Sequence, residues 1–310
     1  MKTMRDNIAQ NANLSGIIYM LVAMFSLATM DALAKYLVKD SYDPIQILAM
    51  RSWIILAAML VYYITRRKLH KLYPTKPLAQ LARGLFGFLA PYCFFKSLQT
   101  LPLADATVIF FSSTFMITAL SGPLLKEKVG LYRWSAVVLG FVGVLIAMDA
   151  QGDGALTSYA YCLAGSFSYS ILFISGRWLA RTESVDSLVF FFNFCMVIIA
   201  TSLTPMVWNT VAVADYGTIL LFSAFALVGH FCVTNAFSRA NVAVIAPLEY
   251  TALIWAALWG YLIWAEIPGT RVMIGGAVII SCALFVVYRE THNARKARRA
   301  KKNIAQTPLQ

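Results

Sequence analysis

Residues 241–266, NVAVIAPLEYTALIWAALWGYLIWAE, decide the fold of this chain. The run is long and apolar enough to cross a bilayer as a helix, which takes roughly 20 residues at 1.5 Å rise. It nevertheless carries a carboxylate, Glu249, about a third of the way in. Pro247, just before it, removes a backbone donor and loosens the helix there. An ionisable group at that depth costs roughly 2.5–3.5 kcal/mol on insertion scales and marks a functional position.

The stretch has an echo upstream. Shifted back by 139 positions it lies without a gap on residues 102–127, with Ala243 on Ala104 and Glu266 on Glu127. A shift of 142 sets Tyr19, Ser26, Lys35 and Leu37 on Tyr161, Ser168, Arg177 and Leu179. Two registers that differ by a few residues are what a loop insertion between two copies leaves. The expectation is an internal duplication of a five-helix unit.

Composition agrees with membrane residence. Hydrophobic residues make up 60% of the 310 and charged ones 13%, against about 45–50% and 25% in soluble domains. The apolar runs are continuous rather than alternating, so the spans are helices and not barrel strands. The net charge of +12 comes from loops and a C-terminal tail, which is how topology is written, and not from a nucleic-acid surface. Cys93, Cys162, Cys195, Cys232 and Cys282 all fall in apolar runs and form no Cys-x-x-Cys pair, so neither a disulfide nor a metal site is expected.

Ten spans follow, at 14–38, 44–65, 78–99, 102–125, 131–150, 156–179, 186–208, 216–238, 242–265 and 270–289. The fold class is therefore an all-α membrane protein with ten transmembrane helices. The halves are 14–150 and 156–289, with a basic tail at 290–310. Lys and Arg crowd one set of ends, including Arg66, Arg67, Lys68, Lys71 and the bases 295–302, while the opposite ends hold only Lys39 and Arg271. Both termini are expected to be cytoplasmic, in the inner membrane. Five spans per half is an odd number, so the halves are inverted repeats, with a substrate site between them near the midplane. The tail ARKARRAKKN reads as a solvated anchor or as a binder of anionic lipid headgroups.

Two stretches carry a family resemblance. LPLADATVIFFSSTFMITALSGPLLKEKVGLYRWSAVVLGFVGVLIAM, residues 101–148, resembles the fourth and fifth helices of an EamA-type repeat of the drug/metabolite transporter superfamily. SRANVAVIAPLEYTALIWAALWGYLIWAE, residues 238–266, is similar to the second copy's counterpart. Lys126–Glu127 and Ala265–Glu266 stand where each repeat closes its penultimate helix with an acid. The resemblance covers nearly the whole chain and implies a secondary transporter of small organic metabolites working by alternating access. The opening residues 30–54 are nearer the uptake systems for riboflavin- or S-adenosylmethionine-like solutes, with export of amino acids as the alternative.

The charged positions inside the spans are the candidate site. Asp31 and Lys35 lie one turn apart near one end of the first helix. Arg51 enters the second helix from the same side, at roughly 10 Å depth by the helical rise. Lys96 and Asp105 complete an outer polar group. Its plain reading is that Asp31 and Arg51 neutralise each other while Lys35 and Lys96 snorkel to the surface. Its functional reading is a vestibule in which Arg51 holds a carboxylate or phosphate through its planar fork. His230 and Glu249 fall at matched depth on consecutive antiparallel helices, where contact is expected. Glu249 suits either proton coupling or a substrate amine. Asn193 stands at the position related to Arg51. Tyr250, Trp255, Phe110 and Phe111 are cavity aromatics able to stack on a flat ring. An enzyme or scaffold is the other class considered, but His70, His230 and His292 build no nucleophile–base set, and no Walker motif or cofactor-binding signature is present.

Overall fold

The computed structural model describes residues 2–125, 130–148, 155–240 and 242–304. The Lys126–Glu127 pair lies outside these residues. The described residues are helical with short connections. Helix α1 (Lys2–Asp40), α2 (Pro44–Thr65) and α3 (Pro77–Ser97) come first, followed by α4 (Leu103–Phe110), α5 (Ser112–Leu125) and α6 (Leu131–Ala147). The second half holds α7 (Ala155–Leu179), α8 (Val185–Leu203), α9 (Asp215–Arg239), α10 (Val242–Ile245), α11 (Thr251–Trp264) and α12 (Thr270–Ile304). Seven of the helical stretches are long and apolar enough to cross a membrane, and Leu131–Ala147 is a shorter apolar helix. This is an all-α, multi-pass membrane protein.

Local chemistry sets the ends. Asp43 caps α2 by accepting from the Ile45 N–H at 2.9 Å, and Pro44 sits in the first turn, where its missing donor costs nothing. Ser184 caps α8 through the Ser187 N–H at 3.0 Å. Helix α12 does not stop at the expected 289 but runs into the basic tail as far as Ile304.

Two expected spans are broken in the middle. Residues 102–125 divide at Phe111 into α4 and α5, and 242–265 divide at a 3-10 turn, Ala246–Tyr250, between α10 and α11. Adding 139 to the bounds of α5, Ser112–Leu125, gives the bounds of α11, Thr251–Trp264. Pro247 accounts for the second break, since it cannot donate within the helix. The first has no proline at the break and lies against α7. Ser166 Oγ is 3.3 Å from the Phe110 carbonyl and 3.0 Å from the Cys162 carbonyl of its own helix, Ser170 Oγ is 3.1 Å from that of Ser113 and 2.7 Å from that of Ser166, and Cys162 Sγ donates to that of Ala106 at 3.3 Å. A non-helical backbone carbonyl inside a membrane needs such partners.

The helices pair across the halves rather than within them. α1 packs on α9, α3 on α7, α6 on α12 and α2 on α8, while α5 leans on α7 and α11 on α1. Gly143 and Gly275 let α6 and α12 approach backbone to backbone: a Cβ on Gly143 would meet the Gly275 carbonyl at 3.1 Å. The main core, including Phe95, Leu98, Leu103, Ile109, Met196 and Phe222, lies along these seams. Leu78, Leu131 and Leu145 are exposed on the outside, as a lipid-facing surface requires.

Candidate functional site

A part-buried ion pair, Lys35–Glu266, ties helices together at the face opposite the chain ends, the far face. Lys35 of α1 is only 2% exposed, and its Nζ donates to Glu266 Oε1 and, at 3.0 Å, to the Leu101 carbonyl. Glu266 Oε2 accepts the first N–H of α4, that of Leu103, at 3.1 Å. The Trp264 ring lies 4.8 Å from the Lys35 nitrogen. One carboxylate thus joins α1, α4 and the end of α11. Its position depends on Ala265, which closes α11 in the left-handed region at φ 54° while the Glu266 N–H turns back to the Gly260 carbonyl at 3.1 Å. Lys35 therefore does not snorkel. Lys96 has a partner as well, Asp43 Oδ2 at 3.4 Å.

Side-chain ties surround the pair. Tyr42 donates its hydroxyl to Asp215 Oδ2 at 2.7 Å, and Gln46 exchanges hydrogen bonds with the Asn209 backbone at 2.7 and 2.9 Å. The bond to Asp215, with burial, holds the Tyr42 hydroxyl above its ordinary pKa.

Deeper in the bundle, Arg51 and Asp31 are not bonded to each other. Neither takes part in an ion pair, although each feels the other's charge. The guanidinium is 4% exposed, and its Nε has no hydrogen-bond partner. Its Nη1 reaches only the Met30 sulfur at 3.6 Å, and the group lies 5.3 Å from the Phe222 ring centre. His230 stands on α9 two helical turns beyond Phe222, at i, i+4, i+8 spacing through Ala226. Its charged neighbour is Arg51, and the expected contact with Glu249 is not made.

Glu249 occupies the 3-10 turn between α10 and α11. It is part-exposed although deep in the bundle, and Tyr169 and Tyr250 stand within reach of its charge. Aromatic rings continue from it. Tyr250 and Phe111 are 4.9 Å apart, Phe110 lies 5.5 Å from Tyr169, and Phe94 lies 4.8 Å from Phe110. On the other side, Trp255 meets Phe25 edge-on at 5.0 Å, and Trp259 Nε1 donates to Thr29 Oγ1 at 3.1 Å. Asn193 is buried and spends its amide on the Val189 carbonyl of its own helix at 3.0 Å, without joining either charged group.

The structure thus sets Arg51 within charge range of Asp31 and of His230, places Glu249 with Tyr250, Phe110 and Phe111, and sets Trp255 against α1. Sequence reading missed Lys35–Glu266, Tyr169 and Phe25. Lys35 stands out as a charge inside a span and Glu266 as the match of Glu127, but nothing in the sequence pairs them. Among the described residues, no group of His, Cys, Asp and Glu is arranged to hold a metal ion.

The fold and its interior charges define a class, multi-pass membrane proteins with a polar core, and comparison with known proteins narrows it. Residues 14–148 match the model of the EamA-like transporter family, so the resemblance read from 101–148 is borne out. An S-adenosylmethionine uptake transporter of Rickettsia bellii (strain RML369-C) is 25% identical over 277 residues, covering 89% of this chain and 94% of its own. A pseudopaline exporter, CntI, of Pseudomonas aeruginosa is 26% identical over 275 residues, covering 86% and 93%. A crystal structure superposes with a TM-score of 0.60 at 18% identity over 88% of this chain and 96% of that one, which is a likeness of fold.

Proposed function

We propose that this chain is a secondary transporter that carries a small organic metabolite across the inner membrane by alternating access, with both termini in the cytoplasm. The observation that carries the reading is the set of ionisable side chains that form no ion pair among the described residues, Arg51, Asp31 and Glu249, deep inside a largely apolar bundle. Such groups are expensive in a membrane and persist where a solute or proton uses them. Likeness over nearly the full length to two transporters of small organic solutes supports the same reading.

The domains are two inverted repeats, residues 14–150 and 156–289. Packing supports this. Replace each helix of the first half by its counterpart in the second, and α1 on α9 becomes α7 on α3, while α5 on α7 becomes α11 on α1. The coincident bounds of α5 and α11 support it too. In this arrangement the far face is the periplasmic one, closed by Lys35–Glu266. Glu249 is the coupling residue, either cycling a proton or holding a substrate cation.

The solute is an S-adenosylmethionine-like metabolite taken up by the cell. Export is the second reading, favoured by the comparable identity to the pseudopaline exporter. Proteoliposomes holding the purified chain, loaded or bathed with labelled S-adenosylmethionine under an imposed pH gradient, test both. Accumulation above protein-free vesicles is expected, and its direction separates import from export. No movement of this compound in either direction would overturn the S-adenosylmethionine reading.

A further inference from the structure

We infer that Arg51 and Asp31 are the two halves of a clamp for a zwitterionic head, an α-amino carboxylate, on the transported solute. The inference rests on the transporter reading above and names what its site selects. Arg51 is permanently charged and offers five donors in a planar fork. Here that fork is buried, its Nε is unpartnered and its one polar contact is a thioether, a weak acceptor. Asp31, next in sequence to that methionine, has neither a hydrogen bond nor an ion pair among the described residues. The two charges feel each other but stay apart.

A self-neutralising pair would close to ion-pair contact, and the helices that carry the two charges, α1 and α2, do touch. Two opposite charges held apart are complementary to a solute with two poles. Its carboxylate takes the guanidinium in a bidentate pair and its ammonium takes Asp31. A simple anion would satisfy Arg51 and add repulsion at Asp31, while a simple cation would do the reverse. Selection for zwitterions follows from the protein's own charges. The rest of the solute has a wall to lie on. From the Phe222 ring beneath Arg51, α9 continues to Phe225, which meets Phe25 at 6.3 Å, and Phe25 meets Trp255.

The test uses the full chain in proteoliposomes with three labelled probes: S-adenosylmethionine, its decarboxylated analogue, and its deaminated analogue. Wild type should take up the parent at least tenfold faster than either analogue. Arg51→Gln should no longer distinguish parent from decarboxylated analogue, and Asp31→Asn should no longer distinguish parent from deaminated analogue. Arg51→Lys should fold as wild type and raise KM, because it keeps the charge and loses the fork. Thermal unfolding of the empty protein supplies a second readout. Arg51→Gln should melt close to wild type, because the empty protein offers that charge only a thioether and a ring face. Failure of Arg51→Gln to fold would overturn the clamp. So would uptake of all three probes at one rate, which leaves the transporter reading standing. Uptake of none of them by wild type overturns both.

Discussion

Glu249 is the residue whose chemistry the apolar run announces, and the structure gives it the setting that a working carboxylate needs. It lies in a 3-10 turn deep in the bundle, still part-exposed, with two tyrosines near and no bonded cation. Glu249→Gln keeps the shape and removes the charge, so it should fold normally and fail to accumulate solute against a gradient. Counterflow then separates two roles. If Glu249 cycles a proton, exchange of labelled for unlabelled solute survives the change. If it binds a substrate amine, exchange is lost too, by the roughly 1.5–3 kcal/mol of a hydrogen bond to a charged group. Net uptake and counterflow equal to wild type between about pH 5 and 8 would make the carboxylate structural. At this scale the sequence is legible where a single side chain violates its surroundings. Glu249 and Arg51 stand out because an ionisable group in an apolar helix is conspicuous alone. The partner of Lys35 does not, because it lies 231 positions away and only the fold brings it near. Asn193 shows the converse, a polar residue that satisfies itself within its own helix.

The end of α11 shows how one element can hold three together. Ala265 takes a left-handed conformation that costs an L residue roughly 1–2 kcal/mol, and this turns the Glu266 side chain back towards Lys35 and the start of α4. Replacing Glu266 with Gln leaves Lys35 buried beside a carbonyl and an amide. Breaking a buried pair from one side costs about 3–5 kcal/mol, so thermal unfolding in detergent should show a large loss. Lys35→Met with Glu266→Gln should recover most of it. A double variant no more stable than Glu266→Gln alone would mean that the pair is not what holds this end. Periodicity and hydropathy place α2, α3 and α9 to within a few residues. They do not divide 102–125, because no proline marks that break and the carbonyls beside it face Ser166 and Ser170 on another helix. The break at Ala246–Tyr250 is legible in Pro247, whose effect is local.

Across the whole molecule the seams run between halves. α1 lies on α9, α3 on α7, and α6 on α12 through Gly143 and Gly275. Each half alone would expose the faces that the other covers, so the halves should unfold together. The interleaving of the halves is not legible in the sequence, since two matching registers say nothing about which half's helix covers which. Orientation is testable at this scale. A membrane-impermeant thiol reagent applied to intact cells should label a single cysteine placed at Asn209 and spare one placed at Lys71. The reverse pattern would invert the assignment of the faces and with it the direction of every gradient argument.

The Lys35–Glu266 pair has a consequence for how strongly the carrier takes solute from each side. If the far face opens as proposed, an ion pair that has to be taken apart first makes the open-to-that-side form a minority of the empty molecules. The apparent dissociation constant from that side is then the intrinsic constant divided by that fraction, so dissociation constants measured at the two faces differ even for one and the same site. Loosening the pair should narrow the difference, with the far-side constant falling and the other rising. Double-sided binding measurements on Glu266→Gln in oriented vesicles read both shifts, and constants unchanged at both faces would show that the pair does not set the balance.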